Sequence, residues 1–261
     1  MAASERPPAR PDERSQERPS ERRAAARTAV VWAALQEAFG AGGAGRPLDV
    51  LDIGGGTGGL AVRVAELGHR VSVVDPSPDA LASLARRARE RGVEVSGQQG
   101  DLSTLAEVVG PASADVVLCH GVLEVVDEPA AALASLRAAM RPEATLSLLV
   151  AQHHAAVVAR AMAGHFGQAL AMLDAPSGAP VAGGRARSGR RFTRDELEGL
   201  LRGAGLEVLS VDGVRVFADL VPGSLLDLEP GASAALVELE RAVARRSEYL
   251  PLATQLHVLA R

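Results

Sequence analysis

The sequence predicts an α/β domain: a mostly parallel sheet with helices on both faces. Three observations carry this. Between residues 47 and 150, short apolar runs bounded by glycine, proline and acids alternate with longer amphipathic ones. That is the pattern of a parallel sheet covered on both sides. The first run ends at Asp52-Ile53 and breaks into Gly54-Gly55-Gly56-Thr57-Gly58-Gly59 before a helical pattern begins. Strand, glycine loop and helix together bring backbone N–H groups close to a bound nucleotide. Finally, the chain closes as helix, strand, excursion and last strand, outside the earlier rhythm.

Taken in order, residues 1–20 are Arg, Glu, Pro and Ser with almost nothing to bury, and a disordered tail is expected. From residue 21 to 46 the pattern turns helical, with Val30, Val31, Ala34, Leu35 and Ala38 on one stripe beside Trp32. Arg27 in its first half fits either a solvated surface charge or a lid helix whose Arg reaches over a pocket. Strands are expected at 47–53, 70–75, 93–98, 114–119 and 144–150, with helices at 58–67, 79–91, 103–108 and 129–140 between them. Ser77 or Asp79 can cap the second of these helices, and Pro129 opens the last. Residues 151–192 interrupt the alternation, with a helical stretch to about 173 and then a Gly/Pro/Arg-rich loop containing Arg185, Arg187, Arg190 and Arg191. So long a connection inside a domain is usually functional, and this insert is expected to cover the substrate site. Thr193 caps a further helix to about 202. A strand follows at 206–211, then a turn at Asp212-Gly213, further strand at 214–217, a helix at 232–247 and the closing strand at 255–260. Residues 21–261 thus form one domain.

Composition narrows the function. Of 261 residues, 47% are apolar but only 2% aromatic, so the core is built of Ala, Val and Leu. Every side-chain base is Arg or His, because there is no lysine. A net charge of −4 argues against broad non-specific nucleic-acid binding but leaves room for a local basic patch. One cysteine excludes an internal disulfide and a cysteine-based metal site. No apolar run is long enough to span a membrane. The expectation is a cytoplasmic protein with no membrane and no metal partner.

The glycines fit two nucleotide templates. Gly54-x-Gly56-x-x-Gly59, with Asp75 some twenty residues on, matches the dinucleotide fingerprint. Asp52-Ile53-Gly54-Gly55-Gly56-Thr57-Gly58 equally matches the loop of class I S-adenosylmethionine methyltransferases. The second reading is preferred. An acid just before the glycines would repel a pyrophosphate but suits a cofactor with a cationic sulfonium and ammonium. Gly100-Asp101, after the third strand, can accept from an adenine amino group, although Asp101 also suits a helix cap. The closing strands match the reversed hairpin of that fold. The sequence therefore resembles a Rossmann-like class I methyltransferase, which implies a seven-stranded sheet in the order 3-2-1-4-5-7-6.

A closer resemblance is to the tRNA methyltransferases that convert wobble-position 5-carboxymethoxyuridine to its methyl ester. It rests on Arg27-Thr28-Ala29-Val30-Val31-Trp32, the glycine loop, Ala65-Glu66-Leu67-Gly68-His69, His120-Gly121-Val122-Leu123-Glu124 and Met162-Ala163-Gly164-His165-Phe166. It continues through Gly213-Val214-Arg215-Val216-Phe217-Ala218-Asp219, Leu236 to Glu240 and His257-Val258. The resemblance implies S-adenosylmethionine contacts from Arg27, Gly54, Gly55, Asp75, Asp101 and His120, to which the loop chemistry adds Asp52, Gly56 and Gly100. It implies the tRNA anticodon loop as partner. On this reading Arg215 orients the substrate carboxylate, His120 or Arg27 closes over the cofactor, and Arg190 and Arg191 meet phosphate. Arg215 also fits a plain surface strand, and His120 a structural strand end; Cys119 reads as core. The chain departs from the family at Val125, at Arg141-Pro142-Glu143-Ala144, and at Ala253-Thr254-Gln255, which replaces Gly-Arg-Tyr. The last departure, with the missing lysines, leaves a small-molecule O- or N-methyltransferase as the alternative.

Overall fold

In the computed structural model, residues 19–41, 45–174, 189–227 and 231–261 are described. The tail up to residue 18 and the loop arginines Arg185 and Arg187 lie outside them. Seven strands form one sheet: β1 (Asp49–Ile53), β2 (Arg70–Asp75), β3 (Val95–Gln99), β4 (Ala114–His120), β5 (Met140–Ala151), β6 (Val208–Val214) and β7 (Gln255–Ala260). Their order is β3-β2-β1-β4-β5-β7-β6. Strands β3 to β5 pair in parallel, while β7 runs antiparallel to both β5 and β6.

Nine α-helices are described: α1 (Pro19–Ala41), α2 (Gly59–Glu66), α3 (Pro78–Arg91), α4 (Leu105–Val109), α5 (Pro129–Ala139), α6 (His153–Met162), α7 (Phe166–Asp174), α8 (Arg194–Gly203) and α9 (Ala232–Val243). Ser77 caps α3 by accepting from the Ala80 amide, and Thr193 caps α8 by accepting from the Glu196 amide. The hydroxyl in each case satisfies an N–H that the first helical turn leaves open.

Two apolar layers hold the sheet. On one face Val30, Leu35, Val62 and Leu84 from α1, α2 and α3 pack on Val50, Val73, Val116 and Leu118. On the other, Leu105, Leu133, Leu136, Leu197 and Leu201 from α4, α5 and α8 pack on Leu51, Val117, Leu146 and Leu148. A buried Val or Leu contributes roughly 1.5–3 kcal/mol, so Ala, Val and Leu suffice where aromatics are scarce.

The structure corrects two sequence expectations. Helix α1 starts at Pro19, inside the expected tail. Asp212 and Gly213 are not a turn; they lie within β6, opposite His257 and Leu256 of β7. Asp212 tolerates its buried place because Arg245 and the His257 ring lie beside it. At Gly213 a Cβ would stand 3.1 Å from that of Ala253, so only glycine passes this crossing comfortably. The chain leaves β6 at Arg215, whose φ of 58° is left-handed.

Candidate active site

Strand β1 is flanked by β2 on one side and by β4 on the other, and the sheet's connections reverse at this point. In open α/β sheets the ligand crevice forms outside the C-terminal strand ends at such a switch. Here two cavities meet at Gly54. The first, about 380 Å³, is lined by Arg27, Trp32, Asp52, Gly54, Gly55, Arg63 and His120 among others. The second, about 480 Å³, is lined by Gly54, Pro76, Gly100, Asp101, Val122 and Val126 among others.

The glycine loop has a steric reason for its composition. Gly54, Gly56 and Gly58 all have positive φ, where side chains are strained. A Cβ on Gly54 would clash with Val122, and one on Gly55 would stand 2.6 Å from Asp52 Oδ2. The backbone is bare where a ligand must approach closely.

Each acid predicted for the site has a distinct environment. Asp52 is 3% exposed. Burial, reinforced by the charge of Asp75, pushes its carboxyl up to about 7. Asp75 accepts from the Gly56 amide with one oxygen and from the Ser77 amide with the other, each at 2.9 Å, and so ties the glycine loop to the start of α3. Each oxygen keeps a lone pair for a hydroxyl donor. Asp101 is the turn cap as well as a cavity wall: its Oδ1 accepts from the Ser103 amide and hydroxyl. Those bonds lower its pKa, and its Oδ2 makes no hydrogen bond among the described residues. Gly100 packs beneath the same turn against Thr104 and Val108.

Arg27 reaches the first cavity from α1. Its Nε is buried with no hydrogen-bond partner among the described residues. Burial, and then the charge of Arg215, lower its pKa, with Glu124 working the other way. His120 ends β4, lines the same cavity and gives its Nε2 to the Ser147 hydroxyl at 2.8 Å. Burial, then His257 and Arg27, hold its pKa well below the usual imidazole range, so the ring is neutral. Cys119 next to it is fully buried core, its thiol pushed upward by burial.

A third cavity, about 390 Å³, lies beyond, under the insert. Helices α6 and α7, the turn between them and the start of β7 line it with Ala155, Arg160, His165, Met172, Thr254 and Gln255, joined by Arg191 and Arg215. Burial, then Arg160, lower the Arg191 pKa. Arg215 is already engaged, donating from Nε to the Thr254 hydroxyl at 3.1 Å and pairing with Asp219 at 2.8 Å. Arg190 points elsewhere, to the Asp127 carbonyl, so of the two loop arginines among the described residues only Arg191 faces this cavity.

Sequence reasoning passed over Arg63, Arg160 and Glu124 as site residues. The Arg63 guanidinium lies 4.1 Å over the Trp32 ring, a cation–π contact on the wall of the first cavity. Glu124 accepts from the Ala151 amide at 2.8 Å, and its other oxygen is buried without a hydrogen-bond partner among the described residues. Its charge is felt by both Arg27 and Arg191. No local spacing announces these contacts, since each joins elements far apart in the chain. Among the described residues no cluster of His, Cys, Asp and Glu could hold a metal ion, and no helix is long and apolar enough to cross a membrane.

The fold and this crevice define a methyltransferase: residues 51–146 match the family model described as a methyltransferase domain. The chain is 31% identical over 242 residues to the tRNA 5-carboxymethoxyuridine methyltransferase of Escherichia coli K12, covering 90% of this chain and 87% of that protein. It belongs to that family of S-adenosylmethionine-dependent methyltransferases. It is also 30% identical to the ubiquinone biosynthesis O-methyltransferase of Xanthomonas euvesicatoria, over 63% of this chain and 65% of that one. Among solved structures it is similar to Burkholderia thailandensis 1,6-didemethyltoxoflavin-N1-methyltransferase with bound S-adenosylhomocysteine, with a TM-score of 0.57 and 25% identity over 92% of this chain and 78% of that one.

The residues present fit the S-adenosylmethionine that this class uses. The loop leaves no room for a Cβ at Gly54 or Gly55, buried Asp52 supplies negative charge for a cationic ligand, and Arg27 Nε is a buried donor awaiting an acceptor.

Proposed function

We propose that this methyltransferase acts on the carboxylate of 5-carboxymethoxyuridine at the wobble position of tRNA, forming the methyl ester. The observation that carries this reading is the cavity under the insert, where Arg160, Arg191 and Arg215 converge. Arg160 and Arg191 suit an anionic acceptor, with Arg215 paired to Asp219 beside them, and the protein similar over most of its length carries that activity in its name. The cofactor, when bound, supplies a methyl group on a cationic sulfur. Gly54, Gly55, Asp75, Asp101 and Arg27 would hold it, with Asp52 balancing its charge. A carboxylate is already ionised at neutral pH, so the protein has no proton to remove. Its work is to hold the acceptor in line, by charge-assisted hydrogen bonds from Arg191, and to keep water out. Arg215 is read as an orienting residue acting beside Asp219 and Thr254, and Arg190 as a rim contact to phosphate.

A small-molecule acceptor is the second reading. The similarity to a ubiquinone biosynthesis O-methyltransferase favours it. So does the replacement of Arg-Tyr by Thr254-Gln255, where Thr254, in the place of the Arg, engages Arg215, and Gln255 takes the place of the base-stacking Tyr. Nucleoside analysis of bulk tRNA from a deletion strain separates the two. Loss of the methyl ester, with its carboxylate precursor accumulating, supports the tRNA reading; an unchanged nucleoside profile in a host that makes the precursor defeats it.

A further inference from the structure

A row of polar side chains crosses the sheet behind the first cavity. In the strand register His120 of β4 stands beside Leu149 of β5, Leu149 beside His257 of β7, and His257 beside Asp212 of β6. Residues paired in this way share a face, and Ser147, two before Leu149 on β5, shares it too. This is the face covered by α1, which also brings Arg27. Ser147 and His257 are fully buried and Asp212 is 4% exposed. The Ser147 Oγ lies 2.8 Å from His120 Nε2 and 2.7 Å from His257 Nε2. The two rings stand edge-on, 5.7 Å apart. Beyond them His257 Nδ1 faces Asp212 at 4.0 Å, and Arg245 Nε holds that carboxylate at 2.9 Å.

The hydroxyl has one proton, so it donates to one ring and accepts from the other. Its direction is set at the far end. The Asp212 carboxylate is the charge in front of His257 Nδ1, and that nitrogen has no other partner among the described residues. An N–H aimed at a carboxylate is attracted and a lone pair is repelled, even at a separation longer than a hydrogen bond. A neutral His257 is then protonated at Nδ1 and accepts at Nε2, so Ser147 donates to it. Ser147 in turn accepts from His120, which must be protonated at Nε2. The remaining His120 nitrogen, Nδ1, makes no hydrogen bond among the described residues, and the ring lines the cavity. Arg27 lines the same cavity from α1, and its charge helps to keep the His120 ring neutral.

We propose that Ser147, His257 and Asp212 form a buried relay that fixes the His120 tautomer, so that the cavity is offered a lone pair at Nδ1 and not an N–H. The three are positioning residues; none of them lines the cavity. Its ligand must bring a hydrogen-bond donor to that point. The ammonium of the cofactor's amino-acid end has this chemistry, and so does a hydroxyl or amine on the acceptor. The relay selects for the donor in either case and does not depend on which acceptor is methylated.

Side-chain nitrogen shifts test it directly. The full-length protein is labelled with 15N-histidine, and long-range 1H–15N correlations are recorded at about pH 8, above the usual imidazole range. His120 is assigned by loss of its signals in His120→Gln. The expected wild-type result is a protonated Nε2 and an unprotonated Nδ1. In Ser147→Ala the single tautomer gives way to an exchanging mixture. In Asp212→Asn, which removes the orienting charge far from the cavity, the signature moves toward protonated Nδ1. Asp212→Asn decides the matter alone if circular dichroism shows Ser147→Ala to be misfolded. A protonated Nδ1 in the wild type overturns the proposal, as does an unchanged His120 signature in folded Asp212→Asn. Calorimetry with S-adenosylhomocysteine then locates the donor. Affinity about five- to tenfold weaker in Asp212→Asn, the size of one misdirected hydrogen bond, places it on the cofactor. Unchanged affinity with an equally raised acceptor KM places it on the acceptor. A shifted tautomer with neither effect refutes the claim that the cavity uses that lone pair.

Discussion

Asp52 stands at the C-terminal end of β1 with its carboxyl raised to about 7 by burial and by Asp75. Near neutral pH it is therefore about half protonated when the cavity holds no cation. A cationic ligand favours the carboxylate, so binding expels a proton below that pH. S-adenosylmethionine affinity is expected to rise by up to about tenfold per pH unit below pH 7 and to level off above it. Asp52→Asn should flatten the profile. Calorimetric titration in buffers of differing ionisation enthalpy measures both the affinity and the released proton; no proton release near pH 6 would contradict the assignment. Arg191 gives a second residue-scale prediction. Arg191→Ala removes a charge-assisted contact worth about 1.5–3 kcal/mol, so kcat/KM for the acceptor should fall by roughly 10- to 100-fold, with S-adenosylhomocysteine affinity unchanged. A loss confined to cofactor affinity would remove Arg191 from the acceptor site. Asp52 was legible in the sequence because it directly precedes the glycines. Ser147 and Glu124 were not, because a buried serine or glutamate acquires its meaning only from partners on other strands.

Elements show the same division. The βα alternation and the glycine loop are local patterns, and they placed β1 to β5 and α2 to α5 to within a few residues. The fate of residues 212–219 depended on contacts from elsewhere. Asp-Gly reads as a turn until β7 supplies His257 and Leu256 as neighbours. The chain after β6 is then held by Glu240 of α9, fully buried, whose carboxylate accepts from the amides of Val216, Phe217 and Ala218 at 2.8, 2.9 and 2.7 Å. The two stretches that carried the family resemblance, around Arg215 and around Glu240, thus meet in the fold. Glu240→Ala withdraws the acceptor from three amides and opens a cavity. At the lower end of about 1–3 kcal/mol per stranded group, since the Phe217 amide is only partly buried, a loss of roughly 3–5 kcal/mol is expected, or on the order of 10 °C in Tm for a domain of this size. Thermal unfolding followed by circular dichroism checks it. Glu240→Gln keeps one acceptor oxygen and should lie between the two. A Tm within about 2 °C of wild type in Glu240→Ala would show that the loop holds itself.

At the scale of the molecule, the two ends of the sheet respond to acid in opposite senses. The C-terminal strand ends carry Asp52. The N-terminal ends carry a charge network in which Arg141 pairs with both Asp49 and Asp115, Arg46 with Asp115, and Arg70 with Asp49, at 2.6 to 3.1 Å. Burial alone would raise the Asp115 carboxyl, but Arg46, the Asp49 amide and Arg141 hold it down at about 2. Hydrogen bonding to Arg70 chiefly lowers Asp49. An unfolded Asp titrates near 3.9. Asp115, depressed in the fold, contributes stability that is fully present above about pH 4 and is lost as pH falls toward 2. Asp52, raised in the fold, does the reverse: with no cation bound, its contribution grows as pH falls from about 7 toward 4 and is absent above 7. The shift at Asp115 corresponds to about 2.6 kcal/mol by linkage, and solvent screening reduces it to the order of 1–2. Urea unfolding at pH 7, 4.5 and 2.5 resolves the two. Asp52→Asn should stabilise the cofactor-free protein at pH 7 relative to wild type and converge with it near pH 4. Asp115→Asn should destabilise it at pH 7 by about 1–2 kcal/mol, with most of that deficit gone by pH 2.5. If a cationic ligand favours ionised Asp52, S-adenosylmethionine should raise wild-type stability at pH 7 more than it raises that of Asp52→Asn, while leaving the Asp115→Asn deficit in place. Equal gains in all three proteins would mean that the cofactor does not meet the charge at the end of β1.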